Sequence, residues 1–341
     1  MSGKIRAVLV GCGGISRAWL APAVKMKDLE IVGLADLRRA SAEKAAGEFG
    51  LGKAQIGSDY RRMLKDVKPD AVFVCTLPES HYEITIEALK HGCHVLGEKP
   101  LADTMDRARR MVDAAAKAGK IFSVIQNRRY YSGIRAAQRF LAAGKIGDIT
   151  TLTSDFYIGA HFGGFRDEMK NVLLLDMAIH TFDTARYLSG ADPLSVYCHE
   201  WNPAGSWYKH GASAIATFEM TGGRVYSYRG SWCSEGLPTT WAGSWRIVAT
   251  GGTAVWDGED KFQAQRVTGR AGFIRKTRDL AISFPLPDPA RDGHAGLIRD
   301  FLQAIRTGRR PLTDCADNIK SLAMVFGAIE SARTRKPVRT E

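Results

Sequence analysis

Short apolar runs recur through the first third of the chain, at residues 5–10, 31–35, 54–56, 71–75, 94–96 and 121–125. They are too short for helices and are bounded by polar or turn-forming residues, so they predict buried strands. Helix-like stretches lie between most of them, most clearly at 41–49, 81–90 and 105–118. Strands alternating with helices predict βαβ units and a parallel sheet covered on both faces. Six strands fit two mononucleotide-binding halves.

The pattern changes after residue 126. Helices are predicted at 133–143 and 173–188. Longer strand-like runs rich in β-branched and aromatic residues then follow, at 149–158, 194–201, 212–220, 224–232 and 245–250. Gly222-Gly223 and Gly251-Gly252 punctuate these runs and read as hairpin turns. Two amphipathic helices are expected at 295–306 and 317–334, after a Pro-rich loop at 284–289. The expected division is therefore an α/β domain over 1–126 and an α+β domain over 127–341, whose last helices are free to pack back on the first domain.

Composition narrows the class. A chain of 341 residues suggests two domains, and 45% hydrophobic with 25% charged residues is ordinary for a globular protein. No apolar run approaches the ~18 residues of a membrane span. The amino terminus leads straight into a strand with no signal-peptide core, which predicts a cytoplasmic protein. Six scattered cysteines without a C-x-x-C pair predict buried thiols rather than a disulfide frame or zinc ribbon. The net charge of +12 fits a solvated surface with an anionic cofactor or substrate. Its basic pairs are dispersed, without the clustered, aromatic-interleaved footprint of nucleic-acid binding. His91, Cys93 and His94 lack the second convergent cluster that zinc requires, so no metal is expected.

The first chemical signal follows the first strand. Gly11-Cys12-Gly13-Gly14-Ile15-Ser16 fits G-x-G-x-x-G with serine in the third glycine position. Gly11 would permit the tight turn, and Gly13 would let a pyrophosphate approach the backbone at a helix N-terminus. Asp36 comes twenty residues after Ser16, at the end of the next strand, where a carboxylate meets the adenosine ribose of NAD. It would repel a 2′-phosphate, whereas Arg38 and Arg39 would accept one. NAD is the expected cofactor and NADP stays open.

Two further segments carry a resemblance. One is Phe73-Val74-Cys75-Thr76-Leu77-Pro78-Glu79-Ser80-His81, followed after a helix by His94-Val95-Leu96-Gly97-Glu98-Lys99-Pro100. The other is Leu174-Leu175-Asp176-Met177-Ala178-Ile179-His180-Thr181-Phe182-Asp183. With the glycine loop, these E-K-P and D-x-x-x-H elements resemble the glucose–fructose oxidoreductase, inositol dehydrogenase and rhizopine catabolism family, Gfo/Idh/MocA. The resemblance implies an NAD(P)-binding Rossmann domain followed by an α+β domain with a large, mostly antiparallel open sheet. It implies a dehydrogenase of sugars or polyols, and a homodimer or homotetramer built through that sheet. Cofactor contacts are expected from Gly11, Gly13, Gly14, Ile15, Asp36, Arg38, Thr76, His81, Glu98 and Lys99. Lys99, Asp176 and His180 fall at the reacting carbon, and Arg128, Tyr157, His161 and Arg166 lie in segments that can line the substrate pocket. The chain departs from many relatives at Asn171-Val172-Leu173 and at Met177-Ala178, so no single relative's substrate transfers.

Oxidation of an alcohol needs a base at its oxygen, and histidine titrates in the useful range. His180 is the expected base, or the acid in reduction. Asp176, four residues earlier, is expected on the same helical face to orient it or to bind a neighbouring hydroxyl. Lys99 would stabilise developing alkoxide. The tryptophans of the second half (Trp201, Trp207, Trp232, Trp241, Trp245 and Trp256) suit sugar faces, though most serve as core. An arginine such as Arg128 or Arg166 would suit an anionic substrate group. Two alternatives stay open: a redox-neutral, NAD-dependent glycosidase, and a non-catalytic NAD(H)-binding regulator.

Overall fold

The computed structural model describes residues 3–282, 288 and 290–340. Apart from Asp288, the Pro-rich segment expected at 284–289 lies outside the described residues. In chain order the first elements are β1 (Ile5–Val10), α1 (Ser16–Ala23), β2 (Leu29–Ala35), α2 (Arg39–Glu48), β3 (Gln55–Gly57), α3 (Tyr60–Val67), β4 (Ala71–Val74), α4 (Pro78–Lys90), β5 (His94–Gly97), α5 (Met105–Ala118) and β6 (Phe122–Val124). There follow α6 (Ser132–Ala142), β7 (Ile149–Tyr157), α7 (Ile179–Ser189), β8 (Pro193–Trp201), β9 (Ser213–Met220), β10 (Arg224–Ser231), β11 (Ser244–Ala249), β12 (Gly252–Trp256), β13 (Phe262–Val267) and β14 (Thr277–Leu280). The chain closes with α8 (Gly293–Thr307), α9 (Cys315–Thr334) and β15 (Val338–Arg339). It divides into two units, Met1–Tyr130 with Asp288–Ile319, and Tyr131–Pro287 with Lys320–Glu341.

The first unit holds a six-stranded sheet in the order β3-β2-β1-β4-β5-β6, parallel throughout. The strand order reverses between β1 and β4, which opens a crevice at their carboxyl ends, the place where such sheets bind ligands. Every residue of β4 is buried, as a sheet covered on both faces requires. Trp19 of α1 packs on Phe73 with ring centroids 5.4 Å apart, and Phe73 meets Phe301 of α8 at 6.2 Å. The bounds of α5 follow from its caps. Thr104 accepts the Arg107 amide at its start, and Gly119 takes a left-handed conformation at its end. Helix α3 escaped the apolar pattern because it buries only Met63 and Leu64, and its start is set by Asp59 accepting the Arg61 and Arg62 amides.

The second unit is built on a nine-stranded sheet, β14-β13-β12-β11-β7-β10-β9-β8-β15. All neighbours are antiparallel except β7 and β10. One face is core, with Leu152, Phe156, Phe218, Tyr226, Tyr228, Trp245 and Ile247 buried. The alternate positions point outward and leave Tyr197, Ile215 and Val225 exposed. The two Gly-Gly pairs do mark the β9–β10 and β11–β12 turns. The continuous α-helix expected over 173–188 is corrected. Leu173–Ala178 form a π-helical turn, and the α-helix begins at Ile179. Among the described residues no helix is long and apolar enough to cross a membrane, and no group of three His, Cys, Asp or Glu side chains is placed to hold a metal ion.

Candidate active site

The turn after β1 cannot be built without glycine at its first position. Gly11 has φ +96°, and a Cβ there would lie 2.5 Å from the Cys75 carbonyl oxygen. Gly13 and Gly14 differ, since a Cβ on either would meet no protein atom within 4 Å. That open ground, ahead of the N-terminus of α1, is the cradle a pyrophosphate needs. Ser16 is buried and donates to the Gly13 carbonyl at 2.6 Å, which closes the turn and allows a serine where the motif has its third glycine. Asp36 accepts the Cys12 amide through Oδ2 and the Arg38 amide through Oδ1, each at 2.8 Å. Both oxygens keep a further acceptor site. These residues fit a dinucleotide. Burial and the Asp36 charge push the Cys12 thiol up to about 12, so it is inert.

At the ends of β4 and β5 the sequence-named residues part company. Thr76 Oγ1 is buried and meets no partner among the described residues, a group left for a ligand to satisfy. His81 does not. It is buried, with Nδ1 2.9 Å from the Pro100 carbonyl and Nε2 3.0 Å from that of Thr76. A neutral imidazole has one N–H, so His81 donates to one of these two carbonyls, which orients the ring beside Thr76. Burial holds its pKa below the usual histidine range, and its backbone hydrogen bonds oppose that. Glu98 ties two segments together. Its Oε1 accepts the Trp19 indole N–H at 2.8 Å and its Oε2 accepts the Lys99 amide at 3.0 Å. That carboxylate fixes the chain entering Lys99, whose peptide bond to Pro100 is cis. Arg128 is buried in the turn Asn127–Tyr130.

In the second unit Asp176 sits in the π-helical turn, and His180 is the second residue of α7. Arg166 donates from Nε to Asp176 Oδ2 at 2.8 Å. Its guanidinium also lies 4.8 Å from the ring centroids of both Phe162 and Phe165. His161 stacks on Trp207 at 3.6 Å and pairs with Glu235 at 3.0 Å. Tyr157 ends β7, where burial and Asp155 raise its hydroxyl pKa. The sequence reading did not single out Glu200, which accepts a hydrogen bond from Asn171. Burial pushes its carboxyl up to about 7. Asn171 takes a left-handed conformation (φ +53°) just before the turn that carries Asp176, and its carbonyl accepts the Leu175 amide at 3.0 Å. Only folding makes Glu200 distinctive, because in the sequence it is one polar residue among several in a strand.

Residues 5–126 match the family model of an oxidoreductase family with an NAD-binding Rossmann fold, and residues 134–255 match the model of the GFO/IDH/MocA C-terminal domain. The chain belongs to the Gfo/Idh/MocA family. Among curated proteins it is similar to an uncharacterized protein of Sinorhizobium fredii, 29% identical over 97% of this chain and 94% of that one. It is 31% identical to a D-glucoside 3-dehydrogenase of Escherichia coli over 60% of each chain. Among solved structures it resembles an oxidoreductase from Agrobacterium radiobacter, crystallised with NAD+, L-tartaric acid and magnesium. That match has a TM-score of 0.86 at 20% identity and covers 99% of this chain and 98% of that one.

Proposed function

We propose that this Gfo/Idh/MocA protein is an NAD-dependent dehydrogenase that oxidises a carbinol carbon of a carbohydrate or polyol, with residues 1–126 for the cofactor and 127–341 for the substrate. The observation that carries the reading is the hydrogen bond from the Cys12 amide to Asp36, which couples the glycine turn to the carboxylate that would meet an adenosine ribose. Gly11, Gly13, Gly14, Ile15, Asp36 and Thr76 would hold the dinucleotide, and Arg38 leaves room for NADP. When bound, the nicotinamide supplies the hydride acceptor or donor. His180 takes the hydroxyl proton in oxidation and returns it in reduction. Lys99 donates to the same oxygen and favours its anionic form. Asp176, held by Arg166, orients the imidazole or a neighbouring hydroxyl.

The sugar and polyol class rests on the activities of relatives such as the D-glucoside 3-dehydrogenase. The outward face of the large sheet, with Tyr197, Ile215 and Val225 exposed, supports a homodimer or homotetramer formed through it. Light scattering checks that state.

The test of activity is reduced-nicotinamide absorbance on mixing the protein with NAD+ or NADP+ and a panel of polyols, aldoses, sugar acids and glycosides. Signal with one class of alcohol supports the dehydrogenase. Free sugar released from a glycoside without net reduction would favour the redox-neutral glycosidase. Cofactor binding with no turnover, indifferent to His180→Ala, would favour a regulator.

A further inference from the structure

Arg166 has more hydrogen-bonding capacity than the protein uses. Its Nε is committed to Asp176, yet among the described residues its terminal nitrogens donate to no protein oxygen. A guanidinium carries five N–H donors in a rigid plane, so pairing one edge leaves a second edge pointing elsewhere. Its central carbon lies over the rings of both Phe162 and Phe165, 4.8 Å from each centroid. Those contacts shield part of the guanidinium from water, which strengthens what its free edge can bind. The two rings are themselves 45% and 60% exposed and flank the same cation. The side chain of Arg166 is 32% exposed, so a small ligand can reach it. The site thus presents a cation edge beside two partly exposed aromatic rings. That chemistry recognises a sugar ring carrying an anionic group.

We propose that Arg166 is a specificity-determining residue and that the substrate is an anionic sugar, its carboxylate or phosphate oxygens taken by the free edge of the guanidinium. The inference rests on the sugar and polyol reading above and narrows it. Asp176 fixes the arginine while the arginine reads the substrate, so a single ion pair links the site segment to substrate choice. The overall charge of +12 favours capture of such a substrate.

Equilibrium binding tests this apart from turnover. Calorimetric titrations of the NAD+-loaded protein would compare an aldose, its uronic acid and its phosphate ester. At least one acid should bind about 10-fold or more tightly than the neutral sugar, as a charge-assisted pair of hydrogen bonds allows. The two acids together identify which anionic group is read. Arg166→Gln should abolish the preference. Arg166→Lys keeps the charge beside Asp176 but loses the planar fork, and should reduce the preference in the same direction. Retained NAD+ affinity shows that either variant is folded, and the lysine variant serves if the glutamine variant is not. Equal binding of acids and neutral sugar to the wild type would overturn the proposal. So would binding of none of them, or a preference that persists without Arg166. Failure of the dehydrogenase reading looks different, as tight sugar binding with no reduction of the nicotinamide.

Discussion

The backbone amide of Cys12 donates to Asp36 Oδ2 at 2.8 Å, so the glycine turn and the carboxylate beyond β2 form one hydrogen-bonded unit. Removing the carboxylate should therefore do two things. Asp36→Ala frees the Cys12 amide and removes the acceptor for ribose hydroxyls, and it lifts the repulsion toward a 2′-phosphate. NAD+ affinity should fall about 10-fold or more, and the NADP+ to NAD+ ratio should rise, because Arg38 is left without the neighbouring charge. Titration of both cofactors against both proteins checks this. Tighter NADP+ than NAD+ binding in the wild type would contradict it.

Gly11 and Gly13 should respond oppositely to the same substitution. A Cβ on Gly11 would sit 2.5 Å from a backbone oxygen at a positive φ, so Gly11→Ala should cost about 2–4 kcal/mol of stability in thermal unfolding. A Cβ on Gly13 meets nothing in the protein, so Gly13→Ala should leave the melting temperature nearly unchanged while weakening NAD+ binding. Melting curves and cofactor titrations of the two variants separate a fold requirement from a ligand requirement.

Trp19 holds Glu98, which in turn holds the backbone at Lys99. Trp19→Phe keeps most of the ring packing on Phe73 and removes only the N–H. A buried carboxylate oxygen then loses a donor, and denaturant unfolding should show a loss of about 1–3 kcal/mol. Glu98→Gln preserves the shape, and its amide can donate to neither Trp19 nor the Lys99 amide. It should therefore lower kcat more than it changes NAD+ affinity.

Glu200 sets a pH dependence. Burial pushes its carboxyl up to about 7, from an ordinary value near 4.5. The folded protein therefore holds a proton there that the unfolded chain has released, and the stabilisation is lost as pH rises from about 4.5 through about 7. Glu200→Gln keeps an acceptor for Asn171 and removes the titration. Between pH 5 and pH 8 the wild type should lose about 2 kcal/mol relative to this variant, measured by denaturant unfolding at each pH. Parallel pH profiles for the two proteins would contradict the assignment.

The parallel half was legible in the sequence because its inner strands are largely buried on both faces and read as apolar runs, as β4 does. Its glycine turn was legible because spacing alone relates Gly11 to Asp36. The outer part of the second sheet was not. All four residues of β14 lie outside the core, and β15 is a two-residue pairing of Val338 and Arg339, so neither leaves an apolar trace. Apolar spacing announced a helix around Asp176 and His180, but it does not report the hydrogen-bond register, and the π-helical turn went unseen. Arg166 was named from the sequence, whereas its pairing with Asp176 depends on a loop folding back across ten residues. His81 was read as a cofactor contact because its motif places it near one. The folded loops add that the carbonyls of Pro100 and Thr76 both lie at its ring nitrogens.

The proposed reaction is hydride transfer from a carbinol carbon to the nicotinamide. Its most direct test uses the alcohol that the panel identifies, deuterated at the carbinol carbon and mixed with wild-type protein and NAD+. Deuterium should appear in the reduced nicotinamide and be lost from the sugar, with the rate falling about 100-fold or more in His180→Ala, as expected for a missing general base. Deuterium retained by the sugar, with an unchanged rate in the variant, would contradict it.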